Sequence, residues 1–143
     1  VIGDLGKLWT FEIMNKLFRM VMGGASMLAL HRGKYYQARG GLQLDSGAIV
    51  SGLEYASGKK SAVVGKPMKK FFTLALSDLK INKNEVAMIG DDLENDIWGA
   101  QQCGIRAGLV KTGKFRQNVF SSSPVKPDFI LESIGDLLSF KTF

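Results

Sequence analysis

At 143 residues, with 45 % hydrophobic and 22 % charged residues, the chain has the length and balance of one ordinary globular domain, which excludes a wholly disordered protein. No apolar stretch is long enough to cross a bilayer and no cleavable signal pattern is present, so we expect no membrane association. The formal net charge of +6 would suit nucleic acid, but the lysines are scattered rather than gathered into one basic run, so we expect a solvated surface and no nucleic-acid partner.

The first residues predict a strand end followed by an amphipathic helix. Residues 1–3 have the composition of a strand whose start lies upstream. Thr10 is expected to cap a helix that runs to Met22 and ends at the following pair of glycines. The apolar residues of this helix recur at helical spacing and predict one core-facing side: Phe11, Met14, Leu17, Phe18 and Val21.

A short strand is predicted at 27–31 and a helix at 46–57, with Ser46 as its cap. The segment 32–46 is polar and contains glycine, so we expect it to be a loop. These elements are too few to close a core alone, and the composition changes near residue 60. We therefore expect a partial subdomain at 1–60 and a second one at 61–143.

From residue 61 onward, strands and helices alternate. Strands are predicted at 61–65, 86–89, 105–110 and 128–131, with Pro67 in the first turn of the helix that follows the first of them. Residues 121–127 are expected to form a loop, and Ile134, Leu137 and Leu138 belong to a terminal helix. Because alternation of this kind is typical of a parallel sheet with right-handed crossovers, we expect an α/β fold.

An acidic loop follows the predicted strand 86–89. Asp91 comes directly after the strand end, where open α/β sheets place their active sites, and Asp92, Glu94 and Asp96 crowd it. Carboxylates this close repel one another unless a cation offsets them, and their oxygens suit Mg²⁺. Asp91 and Asp96 are the candidate metal residues. The alternative is that Asp91 or Asp92 only caps the following helix and that Asp96 stabilises its positive end.

Three further side chains are candidates for chemistry. Lys66 follows a predicted strand, where an ammonium can reach a phosphate, although it could equally be one more surface lysine. His31 is the single histidine, and a structural role competes with a contact to substrate, for which Arg32, Arg39 and Asp45 are weaker candidates. Cys103 has no partner for an internal disulfide; a small buried hydrophobe is the expected role, and the low cysteine count favours a cytoplasmic protein.

Three motifs, in this order and spacing, resemble the haloacid dehalogenase superfamily, and within it the type IIA capped phosphatases. They are VVGKP at 63–67, VAMIGDDLENDI at 86–97 and VKTG at 110–113. The resemblance covers nearly the whole chain. It implies the C-terminal half of a Rossmann-like core with a parallel sheet, preceded by the latter part of an α/β cap. It also implies a Mg²⁺ cofactor, a small phosphorylated substrate or phosphoamino acid, and a possible homodimer.

The resemblance implies roles for matching residues. Lys66 would steady the phosphoryl group, Asp91 would bind Mg²⁺ directly, and Asp96 would support the metal site. Members of the family also carry an Asp-x-Asp-Gly-Thr motif whose first aspartate becomes an aspartyl-phosphate. That motif is absent from these 143 residues, so we expect it upstream of Val1. A phosphatase with its nucleophile upstream is thus the leading expectation, and a catalytically inactive truncated isoform that binds a partner or dimerises is the alternative.

Overall fold

The structure is a computed structural model in which residues 1–139 are described. The chain forms two compact units, and the boundary between them lies between Gly65 and Lys66. Both units combine helices with parallel strand pairing, so the α/β class expected from the sequence is confirmed. None of the helices within the described residues is long and apolar enough to cross a membrane.

The first unit is built on helices α1 (Phe11–Met22) and α2 (Ser46–Ser57). Its parallel strands are β1 (Leu28–Ala29) and β4 (Ala62–Val63), and Ile2 forms a further parallel bridge to Ala29. One buried apolar cluster joins these elements: Ile2, Val21, Met27, Ala29, Val50 and Leu53.

The ends of the two helices show which side chains stop the chain from fraying. The Thr10 hydroxyl accepts a hydrogen bond from Ile13 N at 3.3 Å, which confirms the predicted cap of α1. The predicted cap of α2 is wrong. Asp45, in an extended conformation, accepts from Ser46 N at 2.6 Å, while Ser46 is already helical and is buried. Gly58 ends α2 in the left-handed region, at φ 68°.

The loop predicted at 32–46 is wrong for most of its length. Strands β2 (Tyr35–Ala38) and β3 (Gly41–Leu44) pair as an antiparallel hairpin, with Ala38 opposite Gly41. A polar, glycine-bearing composition is also that of an exposed hairpin, whose backbone groups satisfy one another across the two strands.

The second unit carries a three-stranded parallel sheet in the order β5 (Ala87–Gly90), β6 (Arg106–Val110) and β7 (Phe129–Leu131). The connection from β5 to β6 contains a π-helical turn at Leu93–Trp98 and the short helix α4 (Gly99–Gln101), where the sequence predicted one helix. The buried apolar cluster of the second unit consists of Phe72, Ile97, Ala100, Ile105, Ala107 and Leu109.

Three boundaries of the second unit differ from those predicted. Helix α3 (Lys69–Leu79) begins after Pro67, so Pro67 lies outside the helix rather than in its first turn. Helix α5 (Gln117–Ser122) takes up the start of the predicted loop 121–127. The expected terminal helix is a short 3₁₀ helix at Ile134–Ser139.

Candidate active site

The candidate site of the second unit lies where two parallel strands end side by side. Gly90, the last residue of β5, pairs with Leu109 near the end of β6. Because the strands run in the same direction, the acidic loop after β5 and the loop 111–114 after β6 leave the sheet at the same edge. Contacts between these two loops join Asp91 and Asp92 to Lys114.

Lys66 and Asp96, two of the predicted site residues, form an ion pair. Lys66 Nζ donates to Asp96 Oδ1 at 2.5 Å, and the backbone N–H of Asp92 donates to Asp96 Oδ2 at 3.2 Å. The Asp96 side chain is 6 % exposed and that of Lys66 is 35 % exposed. A carboxylate that is removed from water in this way needs a charged partner, and Lys66 provides it.

The π-helical turn brings Asp96 to this position. The carbonyl oxygen of Asp92 accepts hydrogen bonds from both Asp96 N, at 2.9 Å, and Ile97 N, at 3.2 Å. The wider turn leaves two consecutive residues buried, so Ile97 enters the apolar core while Asp96 reaches Lys66. Gly90 is required beside them, because a Cβ at this position would collide with the Asp96 carboxylate.

Asp91 is held from one side only. Its Oδ2 accepts a hydrogen bond from the backbone N–H of Lys114 at 2.7 Å. Gly113, at φ 55°, lies so close to Asp91 that any Cβ at position 113 would collide with the same oxygen. Within residues 1–139, no hydrogen bond reaches the other oxygen, Oδ1.

Asp92 caps the π-helical turn. Its Oδ1 accepts from Glu94 N and Asn95 N, both at 3.0 Å, and its Oδ2 accepts from the Asn95 amide and from Lys114 Nζ, both at 2.8 Å. Burial raises the pKa of Asp92, but the hydrogen bonds from Asn95 and the Lys114 ammonium outweigh it and hold the pKa below its ordinary value. The capping alternative raised by the sequence thus describes Asp92.

The donor set can be compared with the needs of Mg²⁺. This cation binds through one or two carboxylates and completes its octahedron with waters and phosphate oxygens. The hydrogen bonds to Asp92 and Asp96 engage both oxygens of each carboxylate. Of the oxygens of Asp91, Asp92 and Asp96, Asp91 Oδ1 is thus the one that receives no hydrogen bond from residues 1–139 and fits a direct ligand. The described residues contain no cluster of three or more His, Cys, Asp or Glu side chains arranged for a metal.

His31 lies in the first unit with Ser46 and Asp45. Ser46 Oγ is 3.3 Å from His31 Nε2, and Asp45 Oδ1 is 3.7 Å from the same nitrogen. Ser46 Oγ is also 3.4 Å from His31 Nδ1, so the hydroxyl is shared between the two ring nitrogens rather than directed at one of them, as the serine of a catalytic triad is. The N–H of Gly33 also donates to His31 Nδ1 at 3.3 Å.

The weaker candidates of the first unit have structural positions. Arg32 makes a two-point ion pair with the buried Glu54, at 3.1 and 3.0 Å, which gives this arginine a packing role. Arg39 occupies the turn of the hairpin. In the second unit, Cys103 packs against the apolar core but is only half-buried, where the sequence predicted a buried residue.

Lys114 contacts the acidic loop but is not among the residues predicted from the sequence. It lies 22 positions from Asp92, and in the sequence nothing distinguishes it from the other scattered lysines. The available signal was topological, since a loop after the next parallel strand must meet the acidic loop at the same edge of the sheet.

A family model described as HAD-hydrolase-like matches residues 63–137, which include every residue of this edge. The phospholysine phosphohistidine inorganic pyrophosphate phosphatase of Homo sapiens is 39 % identical over 138 residues, which cover 95 % of this chain and 51 % of that protein. The haloacid dehalogenase-like hydrolase domain-containing protein 2 of Bos taurus is 45 % identical over 116 residues, which cover 81 % and 45 %. The chain thus spans about half the length of the curated relatives it matches.

Among solved structures, the 4-nitrophenylphosphatase of Thermotoga maritima superimposes with a TM-score of 0.84 at 26 % identity. The match covers 99 % of this chain and 54 % of that one. Sequence and structure therefore agree on one group of relatives.

Proposed function

Because the chain belongs to the HAD-hydrolase-like family and is similar to two proteins named as phosphatases, we propose that it is part of a Mg²⁺-dependent phosphatase. Its substrate would be a small phosphorylated molecule or phosphoamino acid, and its location the cytoplasm. The observation that carries the proposal is that the Lys66 ammonium pairs with Asp96 of the acidic loop, and that in the same loop Asp91 Oδ1 receives no hydrogen bond from residues 1–139.

The side chains of the edge divide the work as follows. Lys66 lies against the phosphoryl oxygens and stabilises the charge that they carry during transfer. Asp91 Oδ1 binds Mg²⁺, and Asp96 supports the site by fixing the Lys66 ammonium. Bound Mg²⁺ supplies electrostatic stabilisation to the phosphoryl group. His31 as a contact to substrate stays a prediction.

The proposed reaction passes through an aspartyl-phosphate. A carboxylate oxygen attacks phosphorus, the bond from phosphorus to the leaving group breaks (P–O in a monoester, P–N in a phosphoamide), and the leaving group takes up a proton. Water then hydrolyses the acyl phosphate to inorganic phosphate and the free carboxylate. Asp92 and Asp96 have both oxygens engaged and Asp91 is assigned to the metal. We therefore place the nucleophile on residues of a longer protein, in keeping with the half-length match to the relatives.

A second candidate is a catalytically inactive isoform that acts as a binding or dimerisation module. Strand β5 pairs only with β6 in the described part of the chain, so one backbone edge of β5 has no strand partner there. An open strand edge favours pairing with another chain.

The two candidates are separated by the intact mass of the protein from its source cells and by a variant. A mass well above 15.6 kDa, with Mg²⁺-dependent hydrolysis of p-nitrophenyl phosphate, supports the phosphatase. A mass of 15.6 kDa without hydrolysis supports the module.

In the active protein, we expect Asp91→Asn to lower kcat/KM by at least about 100-fold, because the amide binds Mg²⁺ poorly. The melting temperature should stay close to that of the wild type. Glu132→Gln, an isosteric change on the surface of the same unit, is the matched control and should keep full activity. An Asp91→Asn enzyme with wild-type kinetics would remove Asp91 from the site.

A further inference from the structure

Two lysines compensate two of the three partly or fully buried carboxylates of the acidic loop. Lys66 pairs with Asp96 at 2.5 Å and Lys114 with Asp92 at 2.8 Å. From residues 1–139, Asp91 receives a single hydrogen bond, and its donor is a backbone N–H, which carries no formal charge. The three carboxylates and two ammonium groups therefore sum to one negative charge, and that charge resides on Asp91.

The pair formed by Lys114 is well shielded for a lysine. The Lys114 side chain is 18 % exposed and that of Asp92 is 17 % exposed. Lys111, three residues earlier in the same loop, pairs instead with Glu132 at 2.6 Å, in a contact where Glu132 is 76 % exposed. A partly buried pair is screened less by solvent and salt than an exposed one, so Lys114 acts on the loop more strongly than its neighbour does.

We propose that Lys114 is a positioning residue that sets the charge of the site: by neutralising Asp92, it balances the affinity for a divalent cation against the affinity for a phosphate. The proposal rests on the proposed function, since it takes the cation and the phosphate to bind at this edge. In this role the Lys114 ammonium acts through Asp92, to which it donates a hydrogen bond at 2.8 Å.

Opposite responses of the two ligands follow from this role. Removal of the ammonium leaves a second uncompensated carboxylate beside Asp91. That carboxylate attracts a cation and repels an anion, so one ligand binds more tightly and the other more weakly. Simple disruption of the loop would weaken both, because the backbone N–H that holds Asp91 belongs to the same residue.

The test measures direct binding of Mg²⁺ alone, and of inorganic phosphate at saturating Mg²⁺, by calorimetry on the protein at the length in which its cells make it. For Lys114→Met we expect Mg²⁺ to bind roughly 3- to 10-fold more tightly and phosphate to bind roughly 3- to 10-fold more weakly. Lys114→Arg should restore both constants, and Lys111→Met, the matched control, should leave both unchanged.

A second variant supplies the opposite sign. Asp92→Asn keeps the oxygen that caps the π-helical turn but removes its charge, so Mg²⁺ should bind more weakly and phosphate more tightly than in the wild type. The double variant Lys114→Met/Asp92→Asn regains the wild-type charge, and both constants should return toward the wild-type values.

Each outcome decides the proposal. Constants that both weaken in Lys114→Met, or that do not change, overturn it, as does a wild-type protein that binds no Mg²⁺. The proposed function has a separate readout, the hydrolysis of p-nitrophenyl phosphate. If the protein does not hydrolyse p-nitrophenyl phosphate but the Mg²⁺ and phosphate affinities of Lys114→Met change in opposite directions, the proposed function is wrong and the proposal for Lys114 stands.

Discussion

Lys66 has two tasks at the scale of a single residue, and the two can be separated. It neutralises Asp96, a buried carboxylate, and in the proposed reaction it also binds the phosphoryl group. Substitution of Lys66 alone therefore changes stability and binding together. If Asp96 is also made neutral, it no longer needs the Lys66 ammonium, and the effect of Lys66 on phosphate binding can be measured separately.

For Lys66→Met, we expect a loss of about 1–3 kcal/mol in the free energy of unfolding, because a buried carboxylate loses its charged partner. Phosphate affinity, measured by calorimetry, should fall as well. The double variant Lys66→Met/Asp96→Asn should regain most of the stability but none of the phosphate affinity. Lys70→Met, on the exposed side of α3, is the control and should change neither quantity. Recovery of phosphate binding in the double variant would reduce Lys66 to a structural partner of Asp96.

At the scale of an element, the turn after β6 acts on the acidic loop through its shape. Two features exclude a side chain at Gly113: its backbone is left-handed, at φ 55°, and a Cβ there would collide with the Asp91 carboxylate. Gly58, at φ 68°, meets only the backbone demand, since a Cβ at that position would contact nothing within 4 Å. The two glycines therefore form a matched pair.

Alanine at either position should cost about 1 kcal/mol of folding stability through the left-handed backbone alone. We expect Gly113→Ala also to displace the Asp91 carboxylate and thus to raise the Mg²⁺ concentration needed for half-maximal hydrolysis at least about 10-fold. Gly58→Ala should leave that concentration unchanged. Equal metal dependence in both variants would show that the turn does not position Asp91.

Helix α2 and strand β4 are tied together by Glu54. Burial raises the pKa of Glu54, but hydrogen bonds from Ser61 N at 2.8 Å and Ser61 Oγ at 2.7 Å, together with Arg32, hold it below the ordinary value. Because the folded-state pKa lies below the unfolded one, the carboxylate stabilises the fold at neutral pH. That contribution is lost as the pH falls below about 4.3 and through the folded-state value.

Glu54→Gln should therefore lower the free energy of unfolding at pH 7 by about 1–3 kcal/mol and should flatten its decline in acid. Urea unfolding between about pH 7 and pH 3 measures both effects. Glu12→Gln, in the exposed first turn of α1, should keep the wild-type profile. An unchanged acid limb in Glu54→Gln would mean that other carboxylates, Asp92 among them, account for it.

The sequence predicted elements where local signals agree and failed where distant contacts decide. Helix α1 was predictable because the Thr10 cap marks its start and Met14, Leu17, Phe18 and Val21 mark its core-facing side. The prediction was wrong for Phe11, which lies in the first turn and is 82 % exposed. The hairpin 35–44 was missed because its polar residues and glycines are typical of loops as well. Lys66 and Asp91 were selected from their places at strand ends. Their actual partners, Asp96 and Lys114, lie 30 and 23 positions away, beyond the reach of any local pattern.

At the scale of the whole molecule, the positive charge is spread along the chain. Before Lys66 there are eight basic and four acidic residues, and from Lys66 onward there are eleven and nine. Several cations are engaged by carboxylates of their own unit, including Arg32, Lys66, Lys111 and Lys114. In the sequence, the basic residues are therefore not gathered into one run of the kind that favours a polyanion.

We accordingly expect no measurable binding of duplex DNA at about 0.15 M salt, the condition under which a true electrostatic binder still retains its ligand. Fluorescence anisotropy of a labelled duplex measures this directly. Tight binding with an association constant that falls steeply as the salt concentration rises would contradict the expectation and would indicate a basic surface that the sequence does not predict.

The π-helical turn at Leu93–Trp98 depends on the number of residues between β5 and α4. In a segment one residue shorter, Ile97 N would meet the i−4 carbonyl of an ordinary α-helix, and the double acceptance by the Asp92 carbonyl that accompanies the Lys66–Asp96 pair would be lost. Among homologous chains, the difference between keeping and losing this π-helical turn would appear as a one-residue gap in an alignment. Scoring such chains by residue identity alone would overlook it.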